Sequence, residues 1–287
     1  MAQNPIQWFP GHMAKTRRQM KECLPLVDIV LELLDARIPY SSKNPEISEL
    51  CGDKPRVTVF TKYSLADPAL TKQWRDIYTD EGRICAIIDS QTGYGLDELS
   101  RVMKDALSEK IARNRARGME NRTLRAMIVG IPNVGKSSLI NKLAKGKKAK
   151  VENRPGVTLS KQWVPTSIGF DLLDMPGVLW PKFEDSEVGE KLAMTGAIAD
   201  RILDTEELAM LLCSRLMTSA KDAFLQRYKL TEEECSELDS YDIFELVGRK
   251  RGLLLSGGEV NHKRCADMLI DEFRCGKIGR ITLDLPR

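Results

Sequence analysis

One short motif constrains the fold of this 287-residue chain more than any other feature. Residues 130–137 read GIPNVGKS and fit G-x-x-x-x-G-K-S/T, between an apolar β-rich run at 123–129 and a helical pattern at 136–144. A strand, this loop and a helix together form a phosphate-binding loop, in which backbone N–H groups and the helix N-terminus surround phosphate oxygens. The alternative is an ordinary glycine-rich turn. The candidate nucleotide-binding residues here are Asn133, Val134, Gly135, Lys136, Ser137 and Ser138.

The chemistry of such a loop assigns two of these side chains. Lys136 is expected to bridge the β- and γ-phosphates and to serve catalysis, and the Ser137 hydroxyl to ligate Mg²⁺. Downstream, Asp174 ends the apolar run 170–173 and opens Asp-Met-Pro-Gly. Its carboxylate is expected at the Mg²⁺ site, with the Gly177 N–H at the γ-phosphate. Thr158, between the two motifs, is a third candidate Mg²⁺ ligand when the γ-phosphate is present.

Strand and helix patterns alternate up to about residue 185 and then only helical patterns remain. This order predicts an α/β fold with a doubly wound parallel sheet over 1–185, followed by a smaller, mostly helical domain over 186–287. Glycines are expected to break the later helices at 248, 252, 257–258 and 276. The predicted strands are 28–34, 56–61, 83–88, 123–129 and 170–173, and the predicted helices before residue 185 include 68–78, 96–116 and 136–144.

Charge and cysteine usage narrow the class of protein. Residues 101–161 hold 16 Lys and Arg against 4 Asp and Glu, which favours a polyanion-binding surface, although a solvated helix face is the alternative. Further basic clusters near residues 249–251, 262–264 and 274–280 predict an RNA contact in the helical domain. No apolar stretch is long enough to span a membrane. Seven scattered cysteines and no signal-peptide pattern predict free thiols and a cytoplasmic protein.

Two loops upstream of the phosphate-binding loop carry base-recognition candidates. Thr61-Lys62-Tyr63-Ser64 follows a strand where the N-K-x-D motif of a GTPase would fit, and Ser90 lies in the loop that would touch the base. Both loops follow the phosphate-binding loop in an ordinary GTPase and precede it here. A circular permutation keeps the same sheet because only the connection moves.

Several segments of the chain together resemble one family. The segments at 7–15 (QWFPGHMAK), 35–39 (DARIP), 130–137 and 179–185 (LWPKFED) resemble the circularly permuted GTPases, in particular the YlqF-like group of ribosome biogenesis GTPases. The resemblance covers essentially the whole chain. It implies a GTPase that acts in assembly of the large ribosomal subunit and binds GTP or GDP, ribosomal RNA and ribosomal proteins. Separately, the residues near the expected attacking water lead us to expect low intrinsic activity that the particle raises. We expect a monomer.

The base-recognition motif departs from N-K-x-D. Its aspartate would accept hydrogen bonds from two guanine N–H groups, but Ser64 stands there and a serine can donate or accept. Asp67, three residues on, is a substitute candidate. An ATP-using or base-promiscuous NTPase is therefore the alternative function. A nucleic-acid-binding module with a vestigial pocket is disfavoured by the intact motif residues Lys136, Ser137, Thr158 and Asp174.

The position that often orients the attacking water is also changed. Val178 replaces the glutamine found there in many GTPases and cannot hold a water molecule. Two other groups are catalytic candidates. Asn133 could coordinate K⁺ beside the phosphates, and His12 could reach the site from a flexible loop, although an RNA contact or a capping role would also explain it.

Overall fold

The computed structural model describes residues 10–119, 122–145, 163–180, 183 and 185–286, with side chains from residue 15 onward. Within these ranges the chain is an α/β protein, and its strands form one six-stranded sheet in the order β3-β2-β1-β4-β6-β5. The strands are β1 (Ile29–Asp35), β2 (Arg56–Thr61), β3 (Ile84–Ile87), β4 (Leu124–Gly130), β5 (Trp163–Pro165) and β6 (Phe170–Asp174).

The sheet is parallel except at one edge. Neighbouring strands run parallel from β3 to β6, and β5 alone among them pairs antiparallel, on β6. The five predicted strands are confirmed within two residues at each end. The sequence did not predict β5, because three residues are too few to show an alternating pattern.

Helices cover both faces of the sheet, as the doubly wound prediction requires. The helices before residue 185 are α1 (Pro10–Cys23), α2 (Glu46–Cys51), α3 (Pro68–Asp80), α4 (Leu96–Asp105), α5 (Ser108–Ala116) and α6 (Lys136–Leu143). Leu31 and Leu33 of β1 pack in one buried cluster with side chains of α4 and α6, while Val30 packs in another with side chains of α1 and α2. A strand buried on both faces is apolar along most of its length.

Three details differ from the helix predictions in this part. The helix expected over 96–116 is two helices, α4 and α5, interrupted after Asp105. The helix α2 was not expected. His12, expected in a flexible loop, lies in the first turn of α1, where Pro10 is the first residue; proline favours that position because its fixed φ suits a helix and its missing N–H is not needed.

The part after residue 185 is helical, as predicted. Its helices are α7 (Ser186–Met194), α8 (Thr205–Ser219), α9 (Lys221–Tyr228), α10 (Glu232–Cys235), α11 (Ser240–Lys250) and α12 (His262–Arg274). Leu192, Leu212 and Phe244 belong to the same buried cluster as Leu31 of the sheet, so apolar packing is continuous between the two parts. A domain boundary at residue 185 stays a prediction.

The chain returns to the sheet after α12. The Ile281 N–H donates to the Leu65 carbonyl at 2.9 Å, and the Leu283 N–H donates to the Arg37 carbonyl at 2.7 Å. Asp284 is buried and accepts hydrogen bonds from the Ser41 N–H and hydroxyl at 2.7 and 2.8 Å. The segment 276–286 therefore fastens the loops that follow β1 and β2.

Within the described ranges, two further features are the state of the cysteines and the length of the apolar helices. All seven cysteines lie there and carry free thiols, as predicted. No helix in those ranges is both long and apolar enough to cross a bilayer.

Gly248 does not break a helix, contrary to the sequence expectation. It lies inside α11, where a Cβ atom would come within 2.4 Å of Val260 Cγ1 and 3.4 Å of Cys265 Sγ. The glycine is required for close packing against the segment before α12. Helix α11 tolerates it because the buried contacts of Phe244 and Val247 compensate for the weak helix propensity.

We expect Gly248→Ala to destabilise the protein by about 1–3 kcal/mol, the usual cost of overpacking a core. Gly257→Ala is the matched control, because nothing lies within 4 Å of its Cβ position and its φ is not positive. Urea unfolding of both variants measures the effect. Equal midpoints for the two variants would contradict the packing role of Gly248.

Candidate nucleotide site

The site lies where strand order reverses in the sheet. Strands β2 and β3 extend to one side of β1, and β4 lies on its other side, so the carboxyl ends of β1 and β4 flank the crevice in which ligands of doubly wound sheets bind. The loop 130–137 joins β4 to α6 at this edge. Gly130 has φ +150°, and a Cβ there would lie 2.7 Å from the Leu33 carbonyl oxygen. Glycine is therefore needed to bring the loop against β1.

Lys136 is buried and turned onto its own loop. Its Nζ donates to the carbonyl oxygens of Gly130 at 3.1 Å and Ile131 at 2.7 Å. Burial, with a smaller effect of Lys62, lowers the pKa of Lys136 to about 8, although Asp174 opposes the change. The ammonium group is thus incompletely compensated, and phosphate oxygens in the loop would stabilise its charged form.

Asp174 and Ser137 form the part of the site that suits a divalent cation. The Ser137 hydroxyl donates to Asp174 Oδ2 at 3.4 Å, while the buried Asp174 Oδ1 has no hydrogen-bond partner among the described residues. Burial raises the pKa of Asp174 against the opposing effects of Lys136 and Ser137. An unpaired carboxylate oxygen beside a hydroxyl is a donor set that fits Mg²⁺. Thr158 lies outside the described residues.

The Asp-Met-Pro-Gly segment lies directly on the phosphate-binding loop. A Cβ atom on Gly177 would come within 2.6 Å of the Pro132 nitrogen, so only glycine allows this approach. The Val178 N–H donates to the Gly130 carbonyl at 3.1 Å. The Val178 side chain is buried in the apolar cluster with Val30 and Met175. It therefore offers the site neither a polar group nor access, which agrees with the sequence interpretation.

The side chains of Thr61 and Lys62 both form hydrogen bonds with other groups of the protein. Thr61 is buried, and its hydroxyl lies 2.6 Å from the Val134 carbonyl oxygen, to which it donates. Lys62 Nζ donates to Asp35 Oδ2 at 2.8 Å. These contacts tie the loop after β2 to the phosphate-binding loop and to the end of β1. Through these contacts the two residues support the backbone at the ends of β1 and β4.

Asp35 and Arg37 are site residues to which the sequence reasoning gave no separate role. Arg37 donates to both Asp35 oxygens, from Nε at 3.0 Å and from Nη2 at 2.8 Å, and both side chains are 2 % exposed. Burial would raise the pKa of Asp35, but Arg37 and Lys62 hold it well below its usual value. The available signal was the pair of opposite charges in Asp-Ala-Arg directly after a buried strand.

Ser64 is held by a carboxylate of the neighbouring loop. Its hydroxyl and its N–H donate to Asp89 Oδ2 at 2.6 and 2.9 Å. Ser90 follows Asp89 in the same turn and is partly exposed. Asp67 is not available as a substitute for the missing aspartate, because it caps α3 by accepting from the Leu70 N–H at 2.8 Å.

The two candidate catalytic residues belong to different elements: Asn133 to the phosphate-binding loop and His12 to α1. Asn133 has φ +55°, and its Nδ2 donates to the Gly196 carbonyl at 2.6 Å, so its amide group contacts the turn after α7. His12 lies in α1, which packs through Met20 and Cys23 on the cluster that contains Met175 and Val178. Helix α1 therefore runs on the side of the sheet where the Asp174–Gly177 segment lies.

Comparisons with known proteins agree with this geometry. Residues 125–238 match the family model described as 50S ribosome-binding GTPase. The chain is 48% identical to the ribosome biogenesis GTPase A of Priestia megaterium over 98% of this chain and 97% of that protein. Its structure is similar to GNP-bound YlqF from T. maritima, with a TM-score of 0.64, 27% identity and coverage of 95% and 99% of the two chains. The GDP-bound TM YlqF gives a TM-score of 0.64 at 26% identity over 94% and 99%.

The permuted motif order, the single parallel sheet and the near-complete coverage all describe the same kind of protein. Relatives well above 30% identity align along almost the whole chain. This chain belongs to the ribosome biogenesis GTPase A family, a YlqF-like group of circularly permuted P-loop GTPases.

Proposed function

We propose that this protein binds and hydrolyses GTP as an assembly factor of the large ribosomal subunit. The observation that carries the proposal is the convergence of Lys136, Ser137 and Asp174 at one edge of the sheet, with one buried oxygen of Asp174 left unpaired. The named relatives are ribosome biogenesis GTPases, and none of these findings favours an ATP-using enzyme.

The described contacts support the following roles. Lys136 would exchange its two backbone carbonyl partners for phosphate oxygens, and the backbone N–H groups of residues 133–138 would surround the same phosphates. Ser137 and Asp174, together with Thr158, would hold Mg²⁺, which would neutralise phosphate charge. The Gly177 N–H contacts the γ-phosphate. Base contacts come from the loops that carry Lys62, Ser64 and Ser90, while Thr61 supports the phosphate-binding loop from below.

Hydrolysis needs a group other than Val178. We assign the positioning of the attacking water to His12, at the start of α1, and charge stabilisation to K⁺ held by Asn133. Helix α1 is fastened near its middle by the ion pair of Arg17 with Glu46 at 2.5 Å. We propose that contact with the particle brings His12 to the γ-phosphate, so that intrinsic turnover is low and the particle raises it.

The particle contact is assigned to the basic segment 101–161 rather than to the basic residues of the helical part. In the helical part, Lys250 pairs with Glu234 at 2.7 Å, Arg251 with Glu272 at 3.1 Å, and Arg274 with Asp200. Such pairs cancel much of the local field. On α5, Arg113 and Arg115 are exposed. We propose that this monomeric, cytoplasmic protein binds ribosomal RNA through that helix and the segment around it.

Lys136→Ala should abolish tight binding of a GTP analogue in the presence of Mg²⁺. In the wild type, binding should be insensitive to pH below about 8 and should weaken by up to about tenfold per pH unit above it, because the unliganded Lys136, with a pKa of about 8, must take up a proton to bind. Calorimetric titration between about pH 7 and pH 9 measures both effects.

Lys136→Arg is the matched control for the pH effect, since a guanidinium group stays charged over this range. Its binding should be weaker than that of the wild type and should not change with pH. Unchanged affinity in a folded Lys136→Ala variant would refute the assignment of the phosphate site.

Reversing the charges of Arg113 and Arg115 to Glu should weaken binding to the large ribosomal subunit. It should also flatten the dependence of affinity on salt, because fewer counterions are released. Sedimentation with purified subunits at several salt concentrations measures both quantities. The control reverses Lys72 and Arg75 on α3. If the two double variants have the same salt slope, the RNA contact lies elsewhere.

His12→Ala should leave GTP binding intact and reduce particle-stimulated turnover by about 10²-fold, the scale of a positioned catalytic group. Replacing K⁺ with Na⁺ should lower basal and stimulated turnover in both the wild type and the variant. Phosphate release with and without particles separates the two effects. Normal stimulated turnover in His12→Ala, together with loss of turnover without K⁺, would assign the chemistry to the cation alone.

A further inference from the structure

The contact between Ser64 and Asp89 uses every acceptor position of the carboxylate. Oδ2 accepts from the Ser64 hydroxyl at 2.6 Å and the Ser64 N–H at 2.9 Å, while Oδ1 accepts from the N–H groups of Gln91 and Thr92, both at 2.9 Å. A carboxylate offers about four lone-pair sites. Asp89 is also only 2 % exposed. It therefore has neither a free acceptor site nor access to a base.

The charge on Asp89 is maintained although the group is buried. Burial would raise its pKa, but the hydrogen bonds from the Ser64 hydroxyl and from the N–H groups of Thr92, Ser64 and Gln91 lower it below the usual value. An ionised carboxylate can only accept hydrogen bonds. The single hydroxyl proton of Ser64 is consequently directed at Asp89, and Ser64 Oγ has only lone pairs left for other partners.

The two loops that meet at this contact are held firmly. The Tyr63 and Tyr94 rings stack with their centroids 4.7 Å apart, and the Arg280 guanidinium lies 4.7 Å from the Tyr63 centroid. The Asp89 N–H donates to the Tyr94 carbonyl at 2.9 Å. Ser64 itself is partly exposed at this edge of the sheet. Its hydroxyl oxygen is thus a fixed acceptor on a partly exposed residue.

A fixed acceptor distinguishes guanine from adenine. The Watson–Crick edge of guanine presents N–H donors at both N1 and N2, whereas adenine presents an acceptor at N1 and a donor only at N6. A free serine hydroxyl could rotate to satisfy either base. When the hydroxyl proton is bonded to a carboxylate, the hydroxyl oxygen can still accept a hydrogen bond from guanine. The same oxygen would place a lone pair against the N1 lone pair of adenine, which disfavours ATP.

We propose that Asp89 is a positioning residue that fixes the Ser64 hydroxyl as an acceptor, so that this pair replaces the aspartate of N-K-x-D in guanine recognition. This inference rests on the proposed GTP site. It also implies that Ser64→Asp alone would not restore the specificity of an intact N-K-x-D motif. In that variant two carboxylates would face each other at hydrogen-bond distance, and their repulsion would distort both loops.

The test compares the affinities of purified variants for GTP and ATP, by competition with a fluorescent GDP analogue. The measured quantity is the ratio of the ATP and GTP dissociation constants, because a general loss of structure weakens both nucleotides in parallel and leaves the ratio unchanged. The wild type should prefer GTP. Ser64→Ala should reduce the ratio roughly tenfold, the scale of one hydrogen bond, while Ser64→Thr keeps the hydroxyl and should preserve it.

Two further variants test Asp89. Asp89→Asn should reduce the ratio with Ser64 intact, because an amide has one acceptor oxygen and its NH₂ group releases the Ser64 proton or opposes a backbone N–H. Ser64→Asp alone should weaken GTP binding. The exchange Ser64→Asp/Asp89→Ser, which restores one carboxylate and one hydroxyl, should recover both GTP affinity and the preference for GTP.

A wild type without preference for GTP, or an unchanged ratio in Ser64→Ala, would overturn the inference. These outcomes differ from failure of the proposed function, in which the wild type binds no nucleotide or Lys136→Ala binds as the wild type does. Parallel weakening of both nucleotides in Asp89→Asn would assign that residue a structural role only and would equally overturn the inference.

Discussion

The register of β1 between β2 and β4 is the constraint on which the nucleotide site depends. Asp35 pairs with Thr61 of β2 and Leu33 with Gly130 of β4, so the loops after all three strands begin at nearly one level. A slip of one residue would turn every side chain of β1 to the opposite face and disrupt the two different buried clusters that pack on its two faces. The three loops meet because their strands end side by side in the sheet, whatever the order of the motifs along the chain. A circularly permuted sequence therefore builds the same site.

The sequence pattern predicts the strands and the phosphate-binding loop, but it does not predict the side-chain contacts between distant parts of the chain. The five long strands, the loop 130–137 and the segment 174–177 each carry their signal in consecutive residues. The pairs Ser64 with Asp89 and Asp284 with Ser41 join residues far apart in sequence, and no periodicity encodes such pairing. At Gly248 the sequence prediction was wrong. Glycine has a low helix propensity, but the packing of Gly248 against Val260 outweighs it, and the helix continues.

The helical part touches the site at both ends. At the phosphate end, Asn133 donates to the Gly196 carbonyl, and the Arg274 guanidinium lies 3.3 Å from where a Gly196 Cβ would be. At the base end, Arg280 donates to the carbonyls of Ala66 and Tyr63. A change in the phosphate-binding loop at Asn133 must therefore be accommodated by the turn after α7. This contact and the chain that follows Gly177 both connect the phosphate-binding loop to the helical part.

Three carboxylates near the carboxyl ends of the strands differ in how fully their oxygens are hydrogen-bonded. Asp35 ends β1 and Asp89 follows β3, on the two sides of β2. Both oxygens of each accept hydrogen bonds, and both groups have lowered pKa values. Asp174 is buried as they are, yet its pKa is raised and one oxygen has no partner among the described residues. An unsatisfied buried carboxylate costs stability, and binding of a cation would relieve that cost. Of these three carboxylates, only Asp174 has an oxygen unpaired among the described residues, which is what the Mg²⁺ site proposed above requires. Asp35 and Asp89 are instead bonded to groups of the protein itself.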